Sequence, residues 1–148
     1  MNITWEVKKF STLTPEELYA ILQLRNEVFV VEQHCAYQDL DDKDQTCYHV
    51  MGWQHSKLIA TSRLVPPGEI YDIPSIGRVV TSPSVRGTGT GRMLMEKNIE
   101  ETRRLFGDLP IKIGAQLYLL KFYSSLGFAP VSDTYLEDGI EHIKMLLA

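Results

Sequence analysis

The sequence predicts an α/β fold in which helices flank both faces of a single mixed central β-sheet. Two observations support this. Strand patterns dominate the first half of the chain, and a strand–helix–strand–helix–strand order follows from Ile76 onward. Segments in this order pack as layers around one partly parallel sheet. The length of 148 residues fits one hydrophobic core, so we expect a single domain over residues 1–148.

The N-terminal half predicts one helix among three strands. Alternating residues indicate a strand over 3–9. Thr14, Pro15 and Glu17 form a helix-start pattern of N-cap, first-turn proline and capping box, and apolar spacing carries the helix to about Val31. The remaining elements are a polar acidic loop and two strands joined at His55-Ser56: 34–45, 47–53 and 58–65.

The C-terminal half alternates between strands and helices. The helix over 116–126 is apolar nearly all round, so we expect it to be buried. Glu137, Asp138 and Gly139 predict a turn between the last two strands. The predicted elements are a strand over 71–81, a helix over 89–106, a strand over 111–115, the helix over 116–126, and strands over 128–131 and 141–147.

The composition excludes several classes of protein. The net charge of −4 argues against nucleic acid as the main partner, because such proteins carry basic surfaces. No apolar run is long enough to span a bilayer, and the N-terminal residues lack a secretory signal pattern. Two cysteines, Cys35 and Cys47, are too few for a disulfide scaffold. We therefore expect a cytoplasmic protein without membrane or nucleic-acid partners.

A glycine-rich turn connects the strand ending near Thr81 to the helix that follows. Gly87, Gly89 and Gly91 permit positive φ angles and close approach of backbone N–H groups to a ligand. The helix start adds unpaired N–H groups and the positive end of its dipole. With Arg86 beside it, this turn predicts an anion site, most naturally for phosphate.

Two common phosphate motifs fit this turn poorly. A P-loop needs Lys and then Ser or Thr after its last glycine, whereas Arg92 and Met93 follow Gly91. The dinucleotide-binding fingerprint, Gly-x-Gly-x-x-Gly, has two residues between its second and third glycines. Here only Thr90 separates Gly89 from Gly91. A flexible loop without a ligand is the remaining simple interpretation of the glycines alone.

The residues around the turn resemble the acetyl-coenzyme A motif of the GNAT N-acetyltransferase superfamily, Arg/Gln-x-x-Gly-x-Gly/Ala. Arg86, Gly89 and Gly91 match it. A second match lies about 30 residues downstream, where segment 122–128 resembles the family's Phe-Tyr-x-x-x-Gly-Phe segment. Segments 25–33 and 137–142 resemble the ElaA-like branch. The resemblance covers the chain from about Trp5 to its end and implies a GNAT-like fold.

This resemblance implies transfer of an acetyl group from acetyl-coenzyme A to a primary amine, on a small molecule or a lysine-like group, by direct attack. It implies that the backbone N–H of Val80 stabilises the oxyanion and that the Gln116 amide contacts pantetheine, where relatives often carry Asn. No metal is expected. The implied coenzyme A-binding residues are Val79, Val80, Thr81, Arg86, Gly87, Thr88, Gly89, Thr90, Gly91, Gln116 and Tyr123.

The proton transfers need an acid and a base. The resemblance to the family motif implies that Tyr123 is the general acid that protonates the leaving thiolate. Without the motif, the spacing of Tyr123 also fits an aromatic residue of the core. Glu32 and His142 are the candidate bases, with His34 and His49 weaker candidates and a water chain as the alternative.

The acidic segment after the first helix invites a calcium interpretation, which fails. An EF-hand loop counted from Asp39 needs Gly and Glu where Asp44 and Val50 stand. A solvated loop is the simple expectation, and attraction of a cationic amine is the functional one. Arg25 lies seven residues before Glu32, on nearly the same face of the predicted helix. Its side chain either orients Glu32 or forms a structural salt bridge.

Two other functions remain open from the sequence. One is an enzyme resembling acyl-homoserine-lactone synthases, and the other is a non-catalytic acyl-coenzyme A sensor in which Tyr123 is idle. The resemblance also implies a homodimer through the C-terminal strands.

Overall fold

The computed structural model describes residues 2–148, and its strands form one mixed sheet in the order β1-β2-β3-β4-β5-β8-β6, with β7 paired to β8. The β4–β5 pair is parallel and the other pairs are antiparallel. The predicted α/β fold class is therefore confirmed. The strands are β1 Thr4–Lys9, β2 Tyr48–Gln54, β3 Lys57–Val65, β4 Ser75–Thr81, β5 Ile111–Gln116, β6 Ala129–Pro130, β7 Tyr135–Glu137 and β8 Ile140–Leu147; the helices are α1 Pro15–Arg25, α2 Thr90–Phe106 and α3 Leu120–Ser125.

Helices pack against both faces of the sheet, and each face has its own cluster of apolar side chains. Ile21 and Leu24 of α1 pack with Met51 and Val80. Leu94 and Met95 of α2 belong to a second, larger cluster, which also holds residues of α3 and β5. Because side chains alternate between the faces of a strand, one sheet serves both clusters.

The start of α1 follows the predicted pattern. The Thr14 hydroxyl accepts from the Glu17 N–H at 3.1 Å, and the Glu17 carboxylate accepts from the Thr14 N–H at 2.8 Å. Pro15 occupies the first helical position. The capping box is therefore confirmed.

Beyond Arg25 the helix widens into a π-helical segment, Asn26–Glu32. Its end shows i→i+5 bonds: the Gln33 N–H donates to the Val28 carbonyl and the Cys35 N–H to the Val30 carbonyl, each at 3.1 Å. Wider winding turns the chain less per residue, so the α-helical spacing between Arg25 and Glu32 does not apply. The two side chains have different partners, and the salt-bridge interpretation of Arg25 is confirmed.

The C-terminal half departs from expectation in two places. Gln116 ends β5, 117–119 form a 3-10 turn, and α3 is only six residues long. Tyr118 is 74% exposed, so the expectation of a buried helix over 116–126 is wrong; of the six α3 residues, Tyr123 is the buried one. A further strand, β7, forms a hairpin with β8 across Asp138 and Gly139, which both adopt positive φ as a type I′ turn requires.

Candidate active site

The parallel strands β4 and β5 separate along their length. Their ladder contains one pair, Ser75 with Lys112, and the Lys112 N–H donates to the Pro74 carbonyl at 3.0 Å. The register between β3 and β4 shifts, and Arg78 adopts a φ of 49° at this bulge. Bulges bend and twist a strand. A wedge-shaped slot therefore opens between the carboxyl ends of β4 and β5.

The glycine-rich turn lies at the β4 side of this slot. Gly87 and Gly89 have φ angles of 76° and 83°, and Gly89 is the N-cap residue of α2. A Cβ added at Gly87, Gly89 or Gly91 would have no heavy atom within 4 Å. The first turn of α2 directs N–H groups of Gly91 and Arg92 out of the helix. The turn therefore fits a pyrophosphate in shape and in charge.

Side-chain hydroxyl groups hold the shape of this turn. The Thr88 hydroxyl donates to the Val85 carbonyl, and it lies 2.9 Å from the Thr90 hydroxyl. Arg92 donates to the Ser125 hydroxyl at 3.0 Å and so joins α2 to α3. The turn is thus anchored on both sides before any ligand binds.

Glu32 and Arg86 form a bidentate ion pair with N–O distances of 2.6 and 2.5 Å. The hydrogen bond from Arg86 is the largest cause of the lowered pKa of Glu32. A carboxylate with a lowered pKa is a weaker base. This contact also joins the π-helical segment to the glycine-rich turn.

Tyr123 is buried in the cluster that also contains Val85 and Ala115, which belong to opposite sides of the slot. Its ring contacts Phe122 and Phe128 edge-on, at centroid distances of 5.2 and 6.0 Å. Burial raises the pKa of Tyr123 to about 12, with a smaller contribution from Tyr118. The hydroxyl has no hydrogen-bond partner within residues 2–148, so it is a protonated donor available to a ligand.

His142 lies on β8 directly opposite Gln116 of β5. Its Nδ1 is 2.8 Å from the Ile140 carbonyl. Because a carbonyl only accepts, Nδ1 carries the proton of the neutral ring and Nε2 offers a lone pair. A Glu137 carboxylate oxygen lies 3.6 Å from Nε2, where it would stabilise the protonated ring. This arrangement suits a general base.

Contacts between distant segments bring the candidate residues to one end of the sheet. The Gln33 amide donates to Oε1 of Gln116 at 3.5 Å. The Cys35 thiol donates to the Asp138 carbonyl at 3.3 Å. The end of the π-helical segment is therefore tied to the same strand ends that carry Gln116 and His142.

The two weaker histidine candidates, His34 and His49, lie elsewhere. His34 is exposed in the turn after the π-helical segment. His49 is buried, and its Nε2 donates to the Asp44 carbonyl at 2.9 Å. Burial lowers the pKa of His49, which keeps the ring neutral. This contact gives His49 a structural role.

The acidic segment is part of a group of six charged residues, here called the arginine–aspartate cluster. Each arginine contacts aspartates at 2.7 to 3.0 Å. Asp44 is 5% exposed, so the expectation of a solvated loop is wrong for its most buried member. Within residues 2–148, no group of three or more ligating side chains is arranged to hold a metal. The members are Arg25, Arg63, Arg78, Asp39, Asp41 and Asp44.

Hydrogen bonds decide the protonation of these aspartates. Burial is the largest single effect and disfavours their charged form, but the hydrogen bonds and positive charges of the neighbouring arginines together outweigh it, so the pKa of Asp41 and of Asp44 is lowered. With three arginines beside three aspartates, the cluster has no net negative charge to attract an amine. The cluster stabilises the fold around α1.

Four residues near the candidate base were not predicted from the sequence. Tyr71, Lys112, Tyr135 and Lys144 form a group in which both lysine ammonium groups lie over the Tyr71 ring. A signal was present, since Lys112 and Lys144 alternate with buried apolar residues along β5 and β8.

No helix in residues 2–148 is long and apolar enough to cross a membrane.

Comparison with known proteins identifies the class. The family model of the acetyltransferase (GNAT) domain matches residues 10–148, and the chain belongs to this family. It is 43% identical to protein ElaA of Escherichia coli over 145 residues, covering 97% of this chain and 95% of ElaA. It is also 41% identical to UPF0039 protein sll0451 of Synechocystis, covering 99% of this chain and 96% of that protein. The predicted ElaA-like resemblance is therefore confirmed.

Solved structures agree with this assignment. An acyl-CoA N-acyltransferase from Pseudomonas aeruginosa superposes with a TM-score of 0.95 at 44% identity, covering 99% of this chain and 100% of the other. Escherichia coli ElaA superposes with a TM-score of 0.93 at 42% identity and the same coverage. A GNAT family acetyltransferase from Elizabethkingia anophelis with acetyl-CoA bound shares the fold at 14% identity, with a TM-score of 0.70 and coverage of 99% and 97%.

Proposed function

We propose that this protein transfers an acetyl group from acetyl-coenzyme A to a primary amine by direct attack. The observation that carries the proposal is the slot between β4 and β5, which pair only at Ser75 and Lys112 and end at the glycine-rich turn. Membership of a family that generally transfers acyl groups from acyl-coenzyme A supports it. A cytoplasmic location, a single domain and a homodimer remain predictions.

The slot and turn supply the contacts that coenzyme A requires. Open space beside Gly87, Gly89 and Gly91 admits the pyrophosphate to backbone N–H groups. The unpaired edges of β4 and β5 offer backbone groups to the amides of pantetheine. We assign cofactor binding to Val79, Val80, Thr81, Arg86, Gly87, Thr88, Gly89, Thr90, Gly91, Gln116 and Tyr123. The bound thioester supplies the acetyl group.

His142 is the base that the geometry favours. Its Nε2 lone pair can take the proton of the acceptor ammonium, and Glu137, 3.6 Å away, would stabilise the resulting imidazolium. Glu32 is less suited, because its ion pair with Arg86 lowers its pKa. We therefore propose that Glu32 positions Arg86 and that His142, directly or through water, removes the proton.

Tyr123 is our choice for the general acid, and the Val80 N–H for oxyanion stabilisation. A thiol pKa is about 8.5, well below the pKa of about 12 for Tyr123. Proton transfer to the free thiolate is therefore uphill. Exclusion of water from the slot raises the basicity of the thiolate and narrows this gap.

The test is a Tyr123→Phe variant assayed for free thiol release from acetyl-coenzyme A across a panel of amines. We expect a loss of about 10²-fold in kcat with a much smaller change in the Kd for coenzyme A, because one proton transfer is removed while most of the cofactor contacts remain. Tyr19→Phe is the matched control, since Tyr19 is 71% exposed on α1.

Other outcomes separate the alternatives. Equal turnover in Tyr123→Phe would remove that hydroxyl from the mechanism. Tight cofactor binding without turnover of any amine would favour a non-catalytic sensor. Acyl transfer from an acyl-carrier protein and not from acetyl-coenzyme A would favour the acyl-homoserine-lactone-synthase-like alternative.

A further inference from the structure

The outer strands β5 and β8 present a polar face beside the candidate base. Residues directly opposite in a ladder share a face, and successive residues alternate between faces. Lys112 and Gly114 of β5 therefore share a face with Lys144 and His142 of β8. Their neighbours Ile111, Ile113, Ala115, Ile143 and Met145 are buried on the other face.

Two tyrosine hydroxyl groups converge above Gly114. A Cβ at this position would lie 2.9 Å from the Tyr135 hydroxyl and 4.0 Å from that of Tyr71. The glycine therefore accommodates the Tyr135 hydroxyl, which any other side chain at this position would displace. Neither hydroxyl has a hydrogen-bond partner within the described chain, so both are available to a ligand.

Two lysines border this space without a carboxylate partner among residues 2–148. Lys112 Nζ lies 4.7 Å from the centre of the Tyr71 ring, and Lys144 Nζ lies 5.6 Å from it. Lys144 Nζ is also 5.8 Å from the centre of the Tyr135 ring. Both lysines are partly buried. Two neighbouring uncompensated cations and two free hydroxyl groups form a site for an anion.

The nearby carboxylates leave this anion site open. Glu137 lies beside His142 Nε2, at 3.6 Å. Asp72 is exposed at the edge of the adjoining groove. Neither is within 4.0 Å of a lysine ammonium, the distance that defines an ion pair. Burial, and after it the charge of Glu137, raises the pKa of Tyr71 and of Tyr135. The attraction for a ligand anion therefore comes from Lys112 and Lys144.

A groove of about 520 Å³ continues from the anion site. Tyr71 and Lys112 line both. Its other walls are mainly apolar, and two of them are well exposed, Ile70 at 39% and Val131 at 50%. Exposed apolar side chains gathered in a groove indicate a binding site for an apolar group. The apolar lining consists of Ile70, Ile73, Val131 and Leu146.

We propose that the acceptor is an amine of the amino-acid type, which carries a carboxylate and an apolar side chain. Lys112 and Lys144 bind the carboxylate with the hydroxyl groups of Tyr71 and Tyr135, and the apolar side chain enters the groove. The amine points toward His142, two residues from Lys144 and so about 7 Å away along the strand. This inference rests on the proposed acetyl transfer.

The test compares L-leucine with L-leucinamide as acceptors, because the amide keeps the amine and the side chain but lacks the carboxylate. We expect kcat/KM to be at least about tenfold higher for leucine than for leucinamide, because hydrogen bonds to a charged carboxylate contribute binding free energy of that size. Lys112→Met together with Lys144→Met should lower kcat/KM for leucine by about 10- to 100-fold and leave leucinamide within about twofold. Lys9→Met is the control, because Lys9 lies 5.9 Å over Tyr48 at the opposite edge of the sheet.

Binding of N-acetyl-L-leucine, measured by calorimetry with coenzyme A present, gives a readout independent of turnover. Binding that is lost in the double variant and kept in Lys9→Met supports the carboxylate site. Preference for leucinamide or spermidine, or an equal loss for both acceptors in the double variant, overturns the inference and leaves acetyl transfer intact. Preference for the aminophosphonate analogue of leucine overturns the carboxylate assignment. Failure of every amine to release thiol rejects the proposed function instead, and calorimetry then decides the anion site alone.

Discussion

Two groups of charged side chains differ in how their charges are compensated. In the arginine–aspartate cluster, Arg25 has 1% exposure and contacts two aspartates, at 2.8 and 2.9 Å. In the group around Gly114, the ammonium groups of Lys112 and Lys144 lie over aromatic rings and have no carboxylate partner among residues 2–148. The first group is internally paired, whereas the second carries the positive charge that we propose binds the acceptor carboxylate.

This difference separates structural from functional charge. Buried charges are stable when each is paired, and removal of one partner leaves a costly unpaired group. The acidic segment attracts attention in the sequence, yet the uncompensated charge lies on β5 and β8.

The largest expected effect is on stability, from Arg25→Met. This change leaves Asp39 and Asp44 with one arginine each, so we expect a loss of about 3–5 kcal/mol in the free energy of unfolding. Urea denaturation measures it. The ratio of leucine to leucinamide turnover should stay constant in the folded protein.

Arg104→Met is the control for Arg25→Met. Arg104 is 61% exposed and pairs with Glu101 on the surface of α2. We expect a change within about 0.5 kcal/mol. An equally small change for Arg25→Met would contradict the structural role of the cluster.

A smaller effect should follow from Asp41→Asn, and it should depend on pH. The pKa of Asp41 is lower in the folded state than in the unfolded state, where it is about 4. The ionised carboxylate therefore adds to the free energy of unfolding above about pH 4, and this contribution is lost as pH falls through the folded-state pKa. We expect a loss of about 1–3 kcal/mol at pH 7 that shrinks toward pH 3. Denaturation curves at both pH values test this, and a loss that does not change with pH would contradict it.

The smallest effect on stability should come from Gly114→Ala. The new methyl group would lie 2.9 Å from the Tyr135 hydroxyl, at the end of a side chain that can move. We expect less than about 1 kcal/mol in unfolding free energy and a several-fold lower kcat/KM for leucine. Unchanged kinetics would show that the space above Gly114 is not used by the acceptor.

Local patterns predicted much of the fold and of the donor side of the site. The capping box at Thr14 and Glu17 and the turn over 86–91 depend on neighbouring residues, so short-range physics defines them. The strand at β7 was missed because it is only three residues long. The π-helical segment was missed because apolar spacing does not distinguish it from an α-helix.

The acceptor side depends on distant pairing, and the sequence does not reveal it. Lys112 and Lys144 meet because β5 and β8 pair in a register that places Gly114 opposite Lys144. Tyr71 reaches the same point from an irregular segment before β4. The alternation of Lys112 and Lys144 with apolar residues indicates that they are exposed, but their proximity to each other depends on strand pairing and becomes visible in the fold.

The separation of β4 and β5 has a consequence for the lifetime of the protein in a cell. Beyond the pair of Ser75 with Lys112, the facing edges of β4 and β5 are not joined in a ladder, so a bound ligand can pair with their backbone groups. A ligand that fills this gap adds about 2.7 kcal/mol when its concentration is 100 times its Kd. Resistance to proteases would then rise and fall with the supply of that ligand, so the abundance of the protein would follow the metabolic state of the cell.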